Sequence, residues 1–410
     1  MRRKVPLLAI AVAITVYAEI ALSAVPIDIS AADNAFGFRL LNAFQNTSRN
    51  RNVVLSPVSA ALDLAMALNG AAGETKREML TTLSLNEPDL AAINEANARL
   101  IKVISMPAES VTVSVANSLW ADSRRAILRP DFVKQTRTWY DAQAINLDFS
   151  NPAAVSQVNQ WVSKETHDKI PKIIDGIDPA EVALLLNAVY FKGQWTQKFD
   201  PKQTQRRDFT LNNGAVRKVL RMAQSGHFDY FATPDMQAIR LPFGAGEWIM
   251  QVFLPAKSSD LRHLEAQLTP AHWTGWQSRY ARRFGAIELP RFELKGEYAL
   301  NESLQSLGMH RAFRPEGPQA AELTGIFESA PAQAHPVNFY ISSVRQSTYW
   351  KVDEEGSEAA AATLSDVLVT AVMRPEEPFQ MIVDRPFLCV IEERRSGALL
   401  FIGAIYDPAA

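Results

Sequence analysis

Cysteine is almost missing from this sequence. Cys389 is alone among 410 residues, so no intramolecular disulfide can form and stability must come from packing. It lies within Phe387-Leu388-Cys389-Val390-Ile391, an apolar run where a thiol is more often an inert core residue than a nucleophile. Histidine is scarce too: His167, His227, His263, His272, His310 and His335 stand far apart, with no HExxH and no Cys-x-x-Cys pair to ligate a metal. A glycine-rich phosphate loop ending in lysine is lacking, and so is a GxSxG nucleophile elbow. Gly244-Ala245-Gly246, followed by Glu247 and Trp248, fits a hairpin turn better than a nucleotide cradle. An enzyme is therefore a disfavoured class, although a triad of distant residues is recognised by geometry alone. An excess of charge is also absent. The net charge is −2, which gives no bulk field toward nucleic acid or an acidic membrane.

What is present begins with apolar material: 47% of residues are hydrophobic against 21% charged, enough for a large core. The amino terminus carries Arg2, Arg3 and Lys4, an apolar run from Val5 to Val16, and small residues at Ala21-Leu22-Ser23-Ala24. That layout predicts a secretory signal peptide over residues 1–24, because Glu19 shortens the run below the roughly 20 residues of a membrane span. The expected destination is extracellular, or periplasmic in a Gram-negative source. Sequons occur at Asn46 and Asn301. No repeat, low-complexity tract or linker divides residues 25–410, which read as one domain.

Helical spacing appears at 34–48, and Ser56-Pro57 opens a second helix with serine as cap and proline at its first position. Further helical patterns lie near 89–104, 128–138, 153–169 and 299–307. Val111 to Val115 alternates as a strand, as does Ile287 to Leu294, while Val182 to Tyr190 reads as a strand buried on both faces. Short strands dominate 216–256 and 386–404. Helices crowd the first half and strands the second, so the class is α+β with mainly antiparallel sheets.

The stretch after Val352 is unusual. Glu354, Glu355, Gly356, Ser357, Glu358, Ala359, Ala360, Ala361, Ala362 and Thr363 read locally as a capped alanine helix. The following Leu364-Ser365-Asp366-Val367-Leu368-Val369 has no 3.6 period. Taken at period two, one face carries Ser357, Ala359, Ala361, Thr363, Ser365, Val367 and Val369, without a single charge. Glu358 and Asp366 fall on the other face. Such a segment can live exposed, yet it fits a sheet interior without stranding a carboxylate.

On these residues the chain resembles an inhibitory serpin, and 354–363 resembles the hinge of a serpin's reactive loop. The similarity extends over nearly the whole chain. It includes Asn52, Ser56, Pro57, Ser59, Gly70, Ala71, Gly73 and Thr75, then Asn187 to Trp195, Leu241-Pro242-Phe243, Leu289-Pro290-Arg291-Phe292 and Leu307-Gly308-Met309. Asp384 to Leu388 and Phe401-Ile402-Gly403 close the series. The resemblance implies three β-sheets, eight or nine helices and an exposed reactive-centre loop at about 354–380. It places Ser56, Ser59 and Asn187 in a shutter that governs opening of the largest sheet, and Trp195 at the breach where insertion starts. Gln346 occupies the place of the family's usual shutter histidine.

The same resemblance implies a suicide substrate of a serine protease, held in a covalent complex. Counting the family's usual loop length from Glu354 places the cut at Thr370–Ala371, with Met373 and Arg374 as alternatives because this loop is long; Pro375 makes Arg374 the less attractive of the two. Leu368, Val369, Thr370 and Ala371 suit an elastase-like or subtilisin-like pocket, and Met373 a chymotrypsin-like one. A cysteine protease, which also forms an acyl intermediate, is a variant target. The alternative function is a non-inhibitory binding protein or chaperone of the same fold. Neither cofactor nor metal is expected, nor a nucleic-acid or membrane partner, and the chain is expected to be monomeric.

Overall fold

The computed structural model describes residues 27–48, 50–86, 89–178, 180–330, 339–357 and 377–409. The expected leader lies outside these residues. So do Glu358, Ala359, Ala360, Ala361, Ala362, Thr363, Thr370, Ala371, Met373 and Arg374.

Nine α-helices occur among the described residues: α1 (Ile29–Thr47), α2 (Pro57–Leu68), α3 (Gly73–Thr82), α4 (Leu90–Ile104), α5 (Pro130–Tyr140), α6 (Ala154–Glu165), α7 (Leu261–Ala266), α8 (Pro270–Gln277) and α9 (Asn301–Ser306). Their starts follow local chemistry. Asp89 and Asp260 cap α4 and α7 by accepting hydrogen bonds from Ala91 N and His263 N. Proline occupies the first turn of α2, α5 and α8, where its missing N–H costs nothing. Helix α2 is buried along its whole length, as its lack of any charge but Asp63 anticipates.

The strands are β1 (Val53–Leu55), β2 (Val111–Asp122), β3 (Ala126–Leu128), β4 (Gln143–Leu147), β5 (Ala183–Gln194), β6 (Gln205–Thr210), β7 (Val216–Ala232), β8 (Met236–Phe243) and β9 (Trp248–Pro255). They continue with β10 (Ala281–Pro290), β11 (Phe292–Ala299), β12 (Phe327–Ser329), β13 (Ser343–Val352), β14 (Gly356–Ser357), β15 (Phe379–Ile382), β16 (Phe387–Glu393) and β17 (Leu399–Ile405). Three sheets result. A nine-stranded ladder runs β1-β17-β16-β9-β8-β7-β10-β15 with β6 on β7, a six-stranded sheet runs β11-β13-β5-β2-β4 with β14 on β5, and β12 pairs with β3. Pairing is mainly antiparallel, as expected. The exceptions are β10–β15, β2–β4 and β13–β5. Gly244 and Gly246, both at positive φ, turn β8 into β9, so that glycine pair is a hairpin.

Strand β5 divides the core. Its Ala183, Leu185, Val189 and Phe191 enter the main apolar cluster, while Leu184, Leu186, Ala188 and Tyr190 enter a second cluster beneath α6, with Trp120 and Trp161. That double burial is why its sequence is continuously apolar rather than alternating.

Candidate functional site

The site is the seam between β5 and β13. These strands pair in parallel from Ser343–Leu184 to Tyr349–Tyr190 and then diverge. Beyond Val352 the chain turns tightly, with Asp353 N donating to Gly356 O and Gly356 N to Asp353 O. It re-enters the sheet as β14, antiparallel to β5, pairing Gly356 with Gln194 and Ser357 with Gly193. Val111 of β2 holds the opposite edge of Gly193, so β14 lies on the β13 side, in the mouth of the seam. Gly356 has φ +134, and a Cβ there would stand 2.1 Å from Gly193 O. Only glycine fits this turn.

Charged latches surround the mouth. Trp195 is buried, stacks on Phe243 at 4.3 Å between centroids and 12° between planes, and donates from Nε1 to Asp353 O at 2.8 Å. The backbone N–H groups of Trp195 and Phe199 donate to Glu355 O and Glu354 O, each at 3.0 Å. Three consecutive carboxylates then reach bases on three different segments. Asp353 pairs with Lys351 at 2.9 Å, Glu354 pairs with Arg291 at 3.3 Å while accepting from Thr204 Oγ1, and Glu355 pairs with Lys198.

Lower on the seam the chemistry is neutral. Gln346 and Asn187 are register partners, and Gln346 Nε2 donates across the seam to Asn187 Oδ1 at 2.7 Å. The same amide clamps the start of α2, donating to Ser56 O at 3.0 Å and accepting from Ser56 N at 2.8 Å. Asn187 Nδ2 donates to Ser59 Oγ and Asn117 Oδ1. Gln346, Asn187, Ser56, Ser59 and Asn117 are all buried. A network of three amides, the Ser59 hydroxyl and the Ser56 backbone therefore bridges β2, β5, β13 and α2.

The structure thus brings together the four residues expected at a shutter (Ser56, Ser59, Asn187 and Gln346) and sets Trp195 where the seam opens. One expectation needs correction. Ser56 stands at the cap position of α2, but its hydroxyl makes no capping bond and has no hydrogen-bond partner. Ser56 acts through its backbone, whose N–H and C=O are taken by Gln346. Asn117, directly opposite Asn187, was not singled out from sequence; its signal was an amide closing the otherwise alternating run that begins at Val111. Arg291, Lys198 and Thr204, the partners of the hinge carboxylates, also went unrecognised as a set, because they are distant in sequence. The sequon amide of Asn301 is engaged, donating to Ser342 O and accepting from Val344 N.

Comparison with known proteins agrees with this geometry. The family model for serpins, described as serine protease inhibitors, matches residues 31–408. The chain is 32% identical to a serpin-like protein of Thermococcus kodakarensis over 379 residues, covering 92% of this chain and 85% of that one. It is 30% identical to alpha-1-antiproteinase S of Cavia porcellus, covering 90% and 87%. The native-state structure of tengpin, a thermophilic serpin, superposes with TM-score 0.81 at 27% identity, over 92% of this chain and 94% of that one. This chain belongs to the serpin family, whose named relatives support protease inhibition rather than proteolysis.

Proposed function

We propose that this protein is exported and inhibits a serine protease as a suicide substrate, cut near Thr370–Ala371 and trapping the acyl-enzyme by inserting its loop into the seam. The observation that carries this reading is the register of β14. Gly356 and Ser357 already occupy the mouth, antiparallel to β5. Continuing that register sets Ala359 opposite Phe191, Ala361 opposite Val189, Thr363 opposite Asn187 and Ser365 opposite Leu185. In an antiparallel ladder, opposed residues share a face. The charge-free face of the loop would then meet the main core, which contains Phe191, Val189 and Leu185, while Glu358 and Asp366 face the other way.

The driving force follows from topology. Insertion replaces one parallel pairing, β5–β13, by two antiparallel ones, the better hydrogen-bonding arrangement. New ladder bonds at about 1 kcal/mol each give on the order of 10 kcal/mol. An inserted strand of about 15 residues carries the tethered protease roughly 50 Å. That work distorts the oxyanion hole and stalls deacylation. The uncut form must be metastable, restrained by a barrier at the seam. The sequence around Thr370 favours an elastase-like or subtilisin-like target, and cleavage at Met373 a chymotrypsin-like one.

Mixing the mature protein with pancreatic elastase, subtilisin and chymotrypsin, followed by denaturing gels and mass spectrometry, tests this. The expected result is a covalent band at the summed mass and a released peptide beginning at Ala371 or close to it. Loop cleavage without a complex by all three proteases supports the non-inhibitory alternative instead.

A further inference from the structure

A pair of tyrosines closes the seam at the point where β5 and β13 begin to part. Tyr190 and Tyr349 are the last register partners of that ladder, both buried, with rings 6.4 Å apart and 23° from parallel. Each ring is supported from its own side. His167, in the turn after α6, meets Tyr190 edge-on at 5.4 Å. That turn places two consecutive non-glycine residues, His167 and Asp168, at positive φ (51 and 61), a costly backbone. It is pinned to the sheet where Ser114, the neighbour of Tyr190 on β2, donates to Glu165 O. Tyr349 donates from its hydroxyl to Glu293 at 3.2 Å, and Lys295 lies over its ring at 5.8 Å. Both partners belong to β11, which shares an unbroken ladder with β13 and moves with it. Lys169, by contrast, reaches the same ring at 5.8 Å from the α6 side.

We infer that Tyr190, Tyr349 and Lys169 form an aromatic clasp that sets the rate at which the seam opens to a strand. This rests on the insertion reading above. Contacts that travel with one half of the seam do not resist its opening; contacts that cross it do. Two of the ring contacts cross: Tyr349 on Tyr190, and Lys169 on Tyr349. In the continued register Ala360 comes opposite Tyr190, so a methyl group takes the space of the Tyr349 ring. The clasp must therefore open before the strand passes that rung, and before Thr363 reaches Asn187. Aromatic pairs and cation–ring contacts each contribute on the scale of roughly a factor of two to ten in an equilibrium or rate.

The test uses the full chain and a synthetic peptide with the sequence of residues 357–367, whose annealing into the seam is followed by the gain in heat resistance. Tyr349→Leu keeps an apolar side chain but removes the ring and should anneal about tenfold faster, the factor corresponding to about 1.4 kcal/mol. Tyr349→Phe keeps the ring and should stay within about twofold of wild type; Lys169→Ala should be faster by about two- to threefold. Trp161→Leu, in the same cluster but against Trp120 and away from the seam, should lower the melting temperature without changing the annealing rate. If the wild-type protein takes up no peptide, the insertion reading itself falls, and the clasp with it. If wild type anneals and Tyr349→Leu matches its rate, or Trp161→Leu accelerates it equally, only the clasp is overturned.

Discussion

The two ends of the seam are held by opposite chemistry. At the mouth, Asp353, Glu354 and Glu355 pair with Lys351, Arg291 and Lys198, and the backbone already carries the first rung of an added strand. At the shutter no charge takes part: Gln346, Asn187, Asn117, Ser59 and the backbone of Ser56 exchange neutral hydrogen bonds in the buried interior. The mouth pairs reach solvent through their basic partners and so are salt-sensitive, although Asp353 and Glu354 are themselves buried. Buried neutral networks are costly to break, because each orphaned group carries its full desolvation penalty. The mouth is thus the salt-sensitive end of the seam and the shutter the salt-insensitive one.

The comparison can be broken from the top most drastically. Gly356→Val sets side-chain carbon against Gly193 O and forbids the φ of +134, so β14 cannot form. Inhibitor should become substrate, with the molar ratio needed to block a protease rising at least about tenfold. The titrated activity of the cognate protease reads this directly.

At the shutter, Gln346→Leu leaves Ser56 N–H and Asn187 Oδ1 without partners. The uncut form should lose about 3 kcal/mol in denaturant unfolding and convert faster to an inactive, heat-resistant form. Gln346→His tests the neutrality of the network differently, since it should make conversion pH-dependent near the range of histidine titration, which wild type lacks there.

pH dependence of wild-type stability should originate elsewhere. Burial raises Glu265 and Glu392 to about 7, opposed by the Tyr406 hydroxyl at the first and by Arg240 and Gln251 at the second. Because their folded values lie above the ordinary 4.5, the stability they contribute is complete at low pH. It is lost as pH rises through about 7. Unfolding free energy should fall by roughly 5 kcal/mol between pH 5 and 8, about half from each carboxylate, and Glu392→Gln should halve that slope.

Smaller effects lie at the latches. Glu354→Lys removes the Thr204 bond and turns the Arg291 pair into a repulsion, which should cost about 2 kcal/mol. Lys198→Ala removes a half-buried pair with Glu355; a change of about 1 kcal/mol, reduced in high salt, is expected by chemical denaturation.

Much of this was legible in the sequence, for reasons that differ by region. The continuously apolar β5 announced burial on both faces, and Ser56-Pro57 announced the start of α2, because both signals are local. The charge-free face read at period two over 357–369 lies, beyond Ser357, outside the described residues. Helices α3, α7 and α8 were not singled out; the last two are short, at six and eight residues, and their capping signals, Asp260 and Thr269, sit in a strand-rich stretch. The amide of Gln346 meets Ser56 across 290 residues, and no local pattern encodes such a pairing. The hydroxyl of Ser56 misled for the same reason: a remote side chain took over the backbone groups that a local cap ordinarily serves.

The central claim, that a cut loop enters this seam, is tested most directly by heat. Nicking the loop with a protease that is not trapped, then comparing the melting temperature of cut and intact protein, isolates insertion from target recognition. The account predicts a rise of roughly 20 °C, from on the order of 10 kcal/mol of new ladder. An unchanged or lowered melting temperature in the cut protein would contradict it.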